Sequence, residues 1–218
     1  MGEPGNSGVA AGLGEAIRRT RRSRKLSLRA VAKRAGVTAG LVSQIENGRV
    51  TPSVETLFAL AAALDVPVAH FFDSSNASSD SASDFAGWSD RRIIRKENRK
   101  RLYLETGIIW ELLTGEEQPG TRFVEITYPP GARSANMMIR HTGRDFLVVI
   151  EGEITVQLEF KDHVLKAGDS MWFDAPVPHQ VRNESGAPAR LIALTIDPWP
   201  ATDLNPPDSP HPPPERAP

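Results

Sequence analysis

The residues whose types and spacing most directly suggest chemistry lie at positions 38 to 44 of the 218-residue chain. Thr38, Ala39, Gly40, Ser43 and Gln44 would stand at the head of a short helix, where side chains can reach base edges in a DNA groove. Gln44 is the best single reader among them, because its amide can pair bidentately with adenine. Ala39 and Gly40 are small. They allow close approach or contact with a thymine methyl and donate nothing, so sequence discrimination from this helix alone is expected to be modest.

The elements that must position these residues can be read from apolar spacing and turn chemistry. In the stretch Val31 to Asn47 (VAKRAGVTAGLVSQIEN), Ala35-Gly36 breaks one apolar repeat and Gly36 can supply the positive φ of a tight turn. Thr38 then offers an N-cap oxygen. Leu41, Val42 and Ile45 form an apolar stripe at helical spacing, and Asn47-Gly48 closes the segment. Two short helices joined this way make a helix-turn-helix unit.

Around this unit the spacing predicts a first helix over Leu13 to Lys25, with Leu13, Ile17 and Thr20 inward, and a second capped by Ser27. Thr51-Pro52 reads as N-cap and N1 of a fourth helix carrying Val54, Leu57, Phe58, Leu60, Ala61 and Leu64. Pro67 opens a short fifth turn ending at Phe71-Phe72. Beyond it, Ser74 to Asp84 (SSNASSDSASD) has the composition of a flexible linker.

From there apolar runs shorten and alternate with turn signals. Strands are expected at Ile108 to Leu113, Arg122 to Tyr128, Met137 to Ile139, Phe146 to Ile150, Ile154 to Phe160, Ser170 to Phe173, His179 to Arg182 and Arg190 to Ile196. Strands at this density imply an all-β barrel or sandwich. The expected fold class is therefore α + β multidomain. Residues 1–11 are read as a disordered N-terminus, 12–72 as a five-helix bundle, 73–88 as the linker, 89–197 as the β domain and 198–218 as a disordered Pro-rich tail.

Charge divides along the same boundary. Residues 1–72 carry a balance of +5 and the remainder −6, which together give the overall net charge of −1. A basic module tied to an acidic one suits a polyanion-binding unit beside a unit with another task. There is no cysteine, which excludes disulfides and thiolate metal sites. No apolar run approaches the roughly 20 residues that span a bilayer, and a soluble, cytoplasmic protein is expected.

Residues 12 to 72 resemble the phage-repressor-like (XRE) helix-turn-helix family. The resemblance rests on Ile17-Arg18, Leu26-Ser27-Leu28, Val31-Ala32, Ala35-Gly36-Val37, Leu41 through Gly48 and Pro52 through Leu57. In such a fold Ser27, Arg29, Asn47, Arg49 and Thr51 would line the phosphates, contacts that position the domain without reading sequence. Arg21 and Glu46 match a pair that forms an internal salt bridge in this family. Arg18, Arg19 and Arg22 are read as a solvated helix face.

Residues 89 to 197 resemble the cupin barrel (double-stranded β-helix, cupin_2 type). The first motif is matched by Pro130-Gly131, His141, Asp145 and Gly152, and the second by Gly168-Asp169, Pro176, His179 and Asn183. Metal-binding cupins place a further histidine where this chain has Ile139. The resemblance therefore implies a reduced ligand set of His141, Asp145 and His179. These three could hold one divalent metal (Fe, Zn, Ni or Mn) as a facial triad. In a barrel without metal, the two histidines would be hydrogen-bonding groups in a ligand pocket. Trp110, Met137, Ile139, Met171 and Phe173 are candidate pocket walls. The basic run Arg91 to Arg101 is read as a solvated edge strand rather than a second polyanion contact.

The two resemblances together imply a dimeric transcriptional regulator. A cupin sensor for a small-molecule effector would pair two subunits, so that two recognition helices bind a palindromic operator on double-stranded DNA about 34 Å apart. The alternative is a mononuclear non-haem iron oxygenase or epoxidase, in which the helical domain serves assembly.

Overall fold

The computed structural model describes residues 7–74, 93–114, 118 and 120–197. The linker and tail expected at 73–88 and 198–218 therefore lie almost wholly outside the described residues. The chain opens with α1 (Ser7–Ser23), α2 (Leu28–Ala35), α3 (Ala39–Glu46) and α4 (Val54–Leu64), followed by a 3₁₀ segment, Val68–Ser74. Helix α1 begins earlier than expected, so residues 7–11 of the supposedly disordered terminus are helical. Ala10 and Ala11 have the helix propensity to extend it. The expected fifth helix forms as the 3₁₀ segment, so the described residues hold four α-helices where five helices were predicted.

Capping decides the other boundaries. Ser27 accepts a hydrogen bond from the Ala30 amide and Thr38 from the Leu41 amide, at 3.1 Å each. Gly36 takes φ 67° and ends α2. The cap of α4 is Ser53 rather than Thr51, because the Ser53 hydroxyl accepts from the Thr56 amide at 3.1 Å. Pro52 thus precedes the cap instead of occupying N1.

The bundle core holds Leu13, Ile17, Val31, Val42, Ile45, Leu57, Leu60, Leu64, Phe71 and Phe72, all nearly inaccessible. Each such side chain contributes about 1.5–3 kcal/mol on burial. Helices α1 and α3 approach backbone to backbone at Gly14, where a Cβ would stand 2.2 Å from the Ile45 carbonyl oxygen. Arg21 of α1 and Glu46 of α3 then form a two-armed ion pair, Nε–Oε1 2.6 Å and Nη2–Oε2 2.8 Å.

The second half contains β1 (Arg101–Tyr103), β2 (Ile109–Leu112), β3 (Thr121–Tyr128), β4 (Arg144–Glu151), β5 (Glu153–Leu158), β6 (Lys161–Lys166), β7 (Ser170–Asp174), β8 (His179–Arg182) and β9 (Ala189–Ile196). They form a six-stranded antiparallel sheet in the order β1-β2-β3-β9-β4-β7 and a three-stranded sheet, β6-β5-β8. The predicted strand Met137–Ile139 does not form. Within it, only Ile139 pairs, through an isolated bridge to His179.

The basic run leads into β1, which is the edge strand of the large sheet. Two of its arginines are paired. Arg99 reaches Glu125 at 2.8 Å and Glu111 at 3.5 Å, and Arg101 also pairs with Glu111. Glu111 and Glu125 face each other across β2 and β3, so these arginines, with Arg190 at 2.6 Å from Glu125, offset a like-charge pair.

The two halves touch. The Glu105 amide donates to the Pro52 carbonyl at 2.9 Å, and α1 and the 3₁₀ segment both contact β1. Helix α4 turns Val54 and Phe58 toward the barrel.

Candidate functional site

The helical half presents its predicted DNA contacts on one accessible surface. Ser27, Arg29, Thr38, Gly40, Gln44, Asn47 and Arg49 are exposed, while Ala39, Ser43 and Thr51 are half-buried. Behind them Val42, Ile45 and Glu46 are buried, which fixes the outward face of α3. Asn47 departs from the simple picture. Its amide nitrogen donates to the Ser43 carbonyl at 2.7 Å and lies 3.4 Å from the Ser43 hydroxyl, so its first task is to finish α3.

The β half gathers its polar residues between the two sheets. His141 lies in the loop before β4, Asp145 on β4 and His179 at the start of β8, and their ligating atoms all lie within 4.8 Å of one another. Gly143 adopts φ 92°, and a Cβ there would stand 2.5 Å from the Ile196 carbonyl oxygen. This turn lets His141 fold back over Asp145.

The tautomers follow from the neighbours. His141 Nδ1 lies 2.9 Å from the Thr142 carbonyl oxygen and His179 Nδ1 lies 2.8 Å from that of Val177. A carbonyl only accepts, so both Nδ1 atoms carry protons and both Nε2 atoms are the ones available to a ligand. His141 Nε2 stands 3.2 Å from Asp145 Oδ2, a proton-sharing distance. A divalent ion binding there would take the place of any proton held between these two atoms.

The electrostatics favour a neutral His179 and an ionised Asp145. Burial lowers the His179 pKa below its ordinary value, and His141 adds to this, although the Val177 carbonyl opposes it. Burial pushes the Asp145 carboxyl up, but the hydrogen bond and charge of His141, the charge of Arg122 and the Thr195 hydroxyl outweigh it and hold the carboxyl below the ordinary range. Two imidazoles oriented by backbone carbonyls plus one carboxylate fit a divalent metal of the first transition row. The position equivalent to a further ligand is Ile139, a buried hydrocarbon.

Two residues of this site were not anticipated from sequence. Arg122 on β3, Thr195 on β9 and Asp145 on β4 occupy one cross-strand row. Arg122 Nη2 donates to Thr195 Oγ1 at 2.6 Å, and Thr195 donates to Asp145 Oδ1 at 2.6 Å. Parity could have located them. Arg122 shares its strand face with the buried Val124, Ile126 and Tyr128, and Thr195 shares one with Ala189 and Leu191.

A third unanticipated member comes from the other half. The Phe58 ring of α4 lies flat on His141, with centroids 4.7 Å apart and an interplanar angle of 4°. It also meets Trp110 edge-on at 6.2 Å, and the Arg122 guanidinium sits 4.8 Å from its centroid. The signal was that α4 is apolar on nearly every face, as a helix buried from two sides must be.

Of the expected pocket walls, Trp110, Ile139 and Phe173 line the interior cavity. Met137 does not. It is 68% exposed, because the strand that would have aimed it inward is an irregular loop. Met171 packs half-buried against the core opposite Leu147, outside the cavity wall.

Comparison with known proteins agrees with this division. The helix-turn-helix family matches residues 17–71 and the cupin domain family matches residues 124–196. The HTH-type transcriptional regulator PuuR of Escherichia coli (strain K12) is 25% identical over 181 residues, covering 83% of this chain and 92% of that protein. The HTH-type transcriptional regulator SutR of the same organism is 24% identical over 175 residues, covering 80% and 89%. Among solved structures, an HTH_3 family transcriptional regulator from Vibrio cholerae superposes with a TM-score of 0.62 at 22% identity, covering 89% of this chain and 99% of that one. Among the described residues no helix is long and apolar enough to cross a membrane. The chain thus joins a helix-turn-helix domain to a C-terminal cupin domain, is similar over four-fifths of its length to HTH-type regulators, and is a DNA-binding transcriptional regulator.

Proposed function

We propose that this regulator binds a palindromic operator as a homodimer and changes its operator affinity when the cupin domain takes up a small-molecule effector. The observation that carries the reading is the stack of Phe58 on His141. Phe58 belongs to α4, the helix that follows the recognition helix, and His141 belongs to the interior cluster of the barrel. An event at the cluster is therefore felt by the DNA-binding unit through one contact. An effector alters DNA affinity only by the difference in its own affinity for the two arrangements.

The DNA interface in this reading is the surface of Ser27, Arg29, Thr38, Ala39, Gly40, Ser43, Gln44, Asn47, Arg49 and Thr51. Dimerisation is supported by an apolar strip on the outer face of β9, β4 and β7. Phe146, Trp172 and Ile196 are exposed there, and Phe146 pairs directly with Trp172. Such a patch on a folded domain marks an interaction surface.

His141, Asp145 and His179 would hold the divalent metal. When bound, that ion supplies a Lewis-acidic point to which an effector oxygen can attach. The residues around it orient the two imidazoles and keep Asp145 ionised. The oxygenase alternative has less support, since the relatives that match four-fifths of the chain are both regulators.

Footprinting on the promoter next to the protein's own gene tests the proposal. The expected result is a protected palindrome at moderate salt together with a two-chain mass in solution. A single-chain protein that protects nothing would overturn it. Metal analysis after purification without chelator should give close to one ion per chain, lost in His141→Ala and His179→Ala.

A further inference from the structure

The barrel interior has a small cavity of about 50 Å³, lined by Trp110, Arg122, Phe173 and Thr195 among others. That is room for little more than a few water molecules. Outside it, between α4 and the barrel mouth, lies a cleft of about 590 Å³ whose α4 side includes Ala59 and Ala62. Phe58, Arg122, Ile139 and His141 border both spaces. Phe58 therefore stands as a plug between them.

Two features of the plugged cavity call for a ligand. Arg122 is only 14% exposed, and its hydrogen-bond acceptor is a neutral hydroxyl, Thr195 Oγ1. Among the described residues, the only carboxylate within 4.0 Å of it is Asp145, at that limit and already engaged with His141 and Thr195. Buried cations are normally matched by an anion. In addition, the Trp110 indole N–H is buried with no acceptor. An orphaned buried donor of this kind is destabilising until an acceptor reaches it. A guanidinium fork and an indole N–H on neighbouring strands offer donors to a planar monoanion, and the aromatic and alanine walls suit a short apolar body.

We propose that this site binds a small carboxylate whose anionic end pairs with Arg122 and Trp110, and that the ligand takes the place of the Phe58 ring. Binding then levers α4, and with it the recognition helix, away from the barrel mouth. The inference rests on the reading of the barrel as a sensor, and it adds the chemical class of the effector and the residue displaced.

The test uses the full-length protein, calorimetric titration and operator footprinting. The probes are butyrate, succinate and 2-oxobutyrate, with butylamine and butanol as cationic and neutral counterparts. At least one acid should bind, and neither counterpart should. Arg122→Gln should weaken acid binding by about tenfold or more. Phe58→Ala should bind the acid about tenfold more tightly, because no ring competes for the space. Its operator affinity should no longer respond to the acid. Phe58→Leu, which keeps an apolar side chain in the bundle, should shift both readouts in the same direction by less. The proposal is overturned if wild type and both Phe58 variants bind no acid while still protecting the operator, or if Arg122→Gln binds the acid as wild type does. Loss of operator protection in the wild type would instead sink the regulatory reading, and the acid titrations would still decide the role of Arg122.

Discussion

The two working surfaces of this protein are built on opposite plans. The proposed DNA-facing surface comes from one continuous stretch of chain, 27–51, and its geometry follows from local rules of caps, turns and a buried stripe behind an exposed face. The barrel site is assembled from β3, β4, β8, β9, a loop and a helix of the other half, with no two of its polar groups adjacent in sequence. A local surface tolerates substitution at individual contacts, because neighbouring positions still hold the helix. A convergent one depends on each element arriving in register.

The largest expected effects lie in the ion pairs that hold each region, and they allow a direct comparison. Glu46→Ala leaves Arg21, 12% exposed, without its partner in the bundle. Glu125→Ala removes the nearest carboxylate from Arg99 and Arg190 in the sheet, which keep Glu111 at 3.5 Å and Glu151 at 2.9 Å. Breaking a buried pair from one side costs about 3–5 kcal/mol. Urea denaturation should show comparable losses at pH 7, and a much smaller loss in either variant would demote that pair to a surface contact. Burial pushes the Glu125 carboxyl up, but hydrogen bonds from Arg190 and Arg99 outweigh it and hold its pKa below the ordinary value. Its contribution is therefore fully present above the unfolded value, about 4.3, and fades as pH falls through the folded one. Glu125→Gln should flatten the fall in stability on going from neutral to acid pH.

Next is the close approach of α1 and α3. Gly14→Ala places a methyl group against the Ile45 carbonyl and should cost about 1–3 kcal/mol, read as a lower melting temperature with weakened operator binding. On the DNA face, Gln44→Ala should weaken operator binding by about 1–3 kcal/mol and relax the preference at one base pair. Arg49→Ala should instead weaken binding to all sequences alike and reduce the salt slope by about one. If the two variants behave alike, α3 is not reading bases. The smallest effect belongs to Met137→Ser. An exposed loop methionine should move stability by no more than about 0.5 kcal/mol and leave acid binding unchanged.

How much could be read from sequence follows this same contrast. Ser27 and Thr38 as caps, Gly36 as the turn and the Arg21–Glu46 pair all depend on short-range spacing or on a dense family pattern, and each is present. The cap of α4 was displaced from Thr51 to Ser53 because two adjacent hydroxyl residues flank a proline, and spacing alone could not choose between them. The edge strand was placed too early, in Arg91 to Arg101 instead of β1, and β6 was missed, because Arg101–Tyr103 is three residues long and Lys161–Lys166 is mostly exposed, which leaves little apolar signal. Met137 was misassigned by extending alternation into a segment that is not a strand. Arg122 and Thr195 were legible in principle from strand parity, but their partnership required knowing that β9 lies between β3 and β4. Phe58 was correctly placed on an apolar helix. That it faces the other half depends on tertiary packing, which no local pattern encodes.

Trp110 is buried beside Phe58, whereas Trp172 is exposed and covered on one face by Arg144. Among the described residues, the chain thus carries a shielded indole at the junction of its halves and a solvated one on the outer face of β7. Parting the halves would wet the first and leave the second unchanged, so a red shift in tryptophan emission provides an optical gauge of whether the junction is shut, readable without any label.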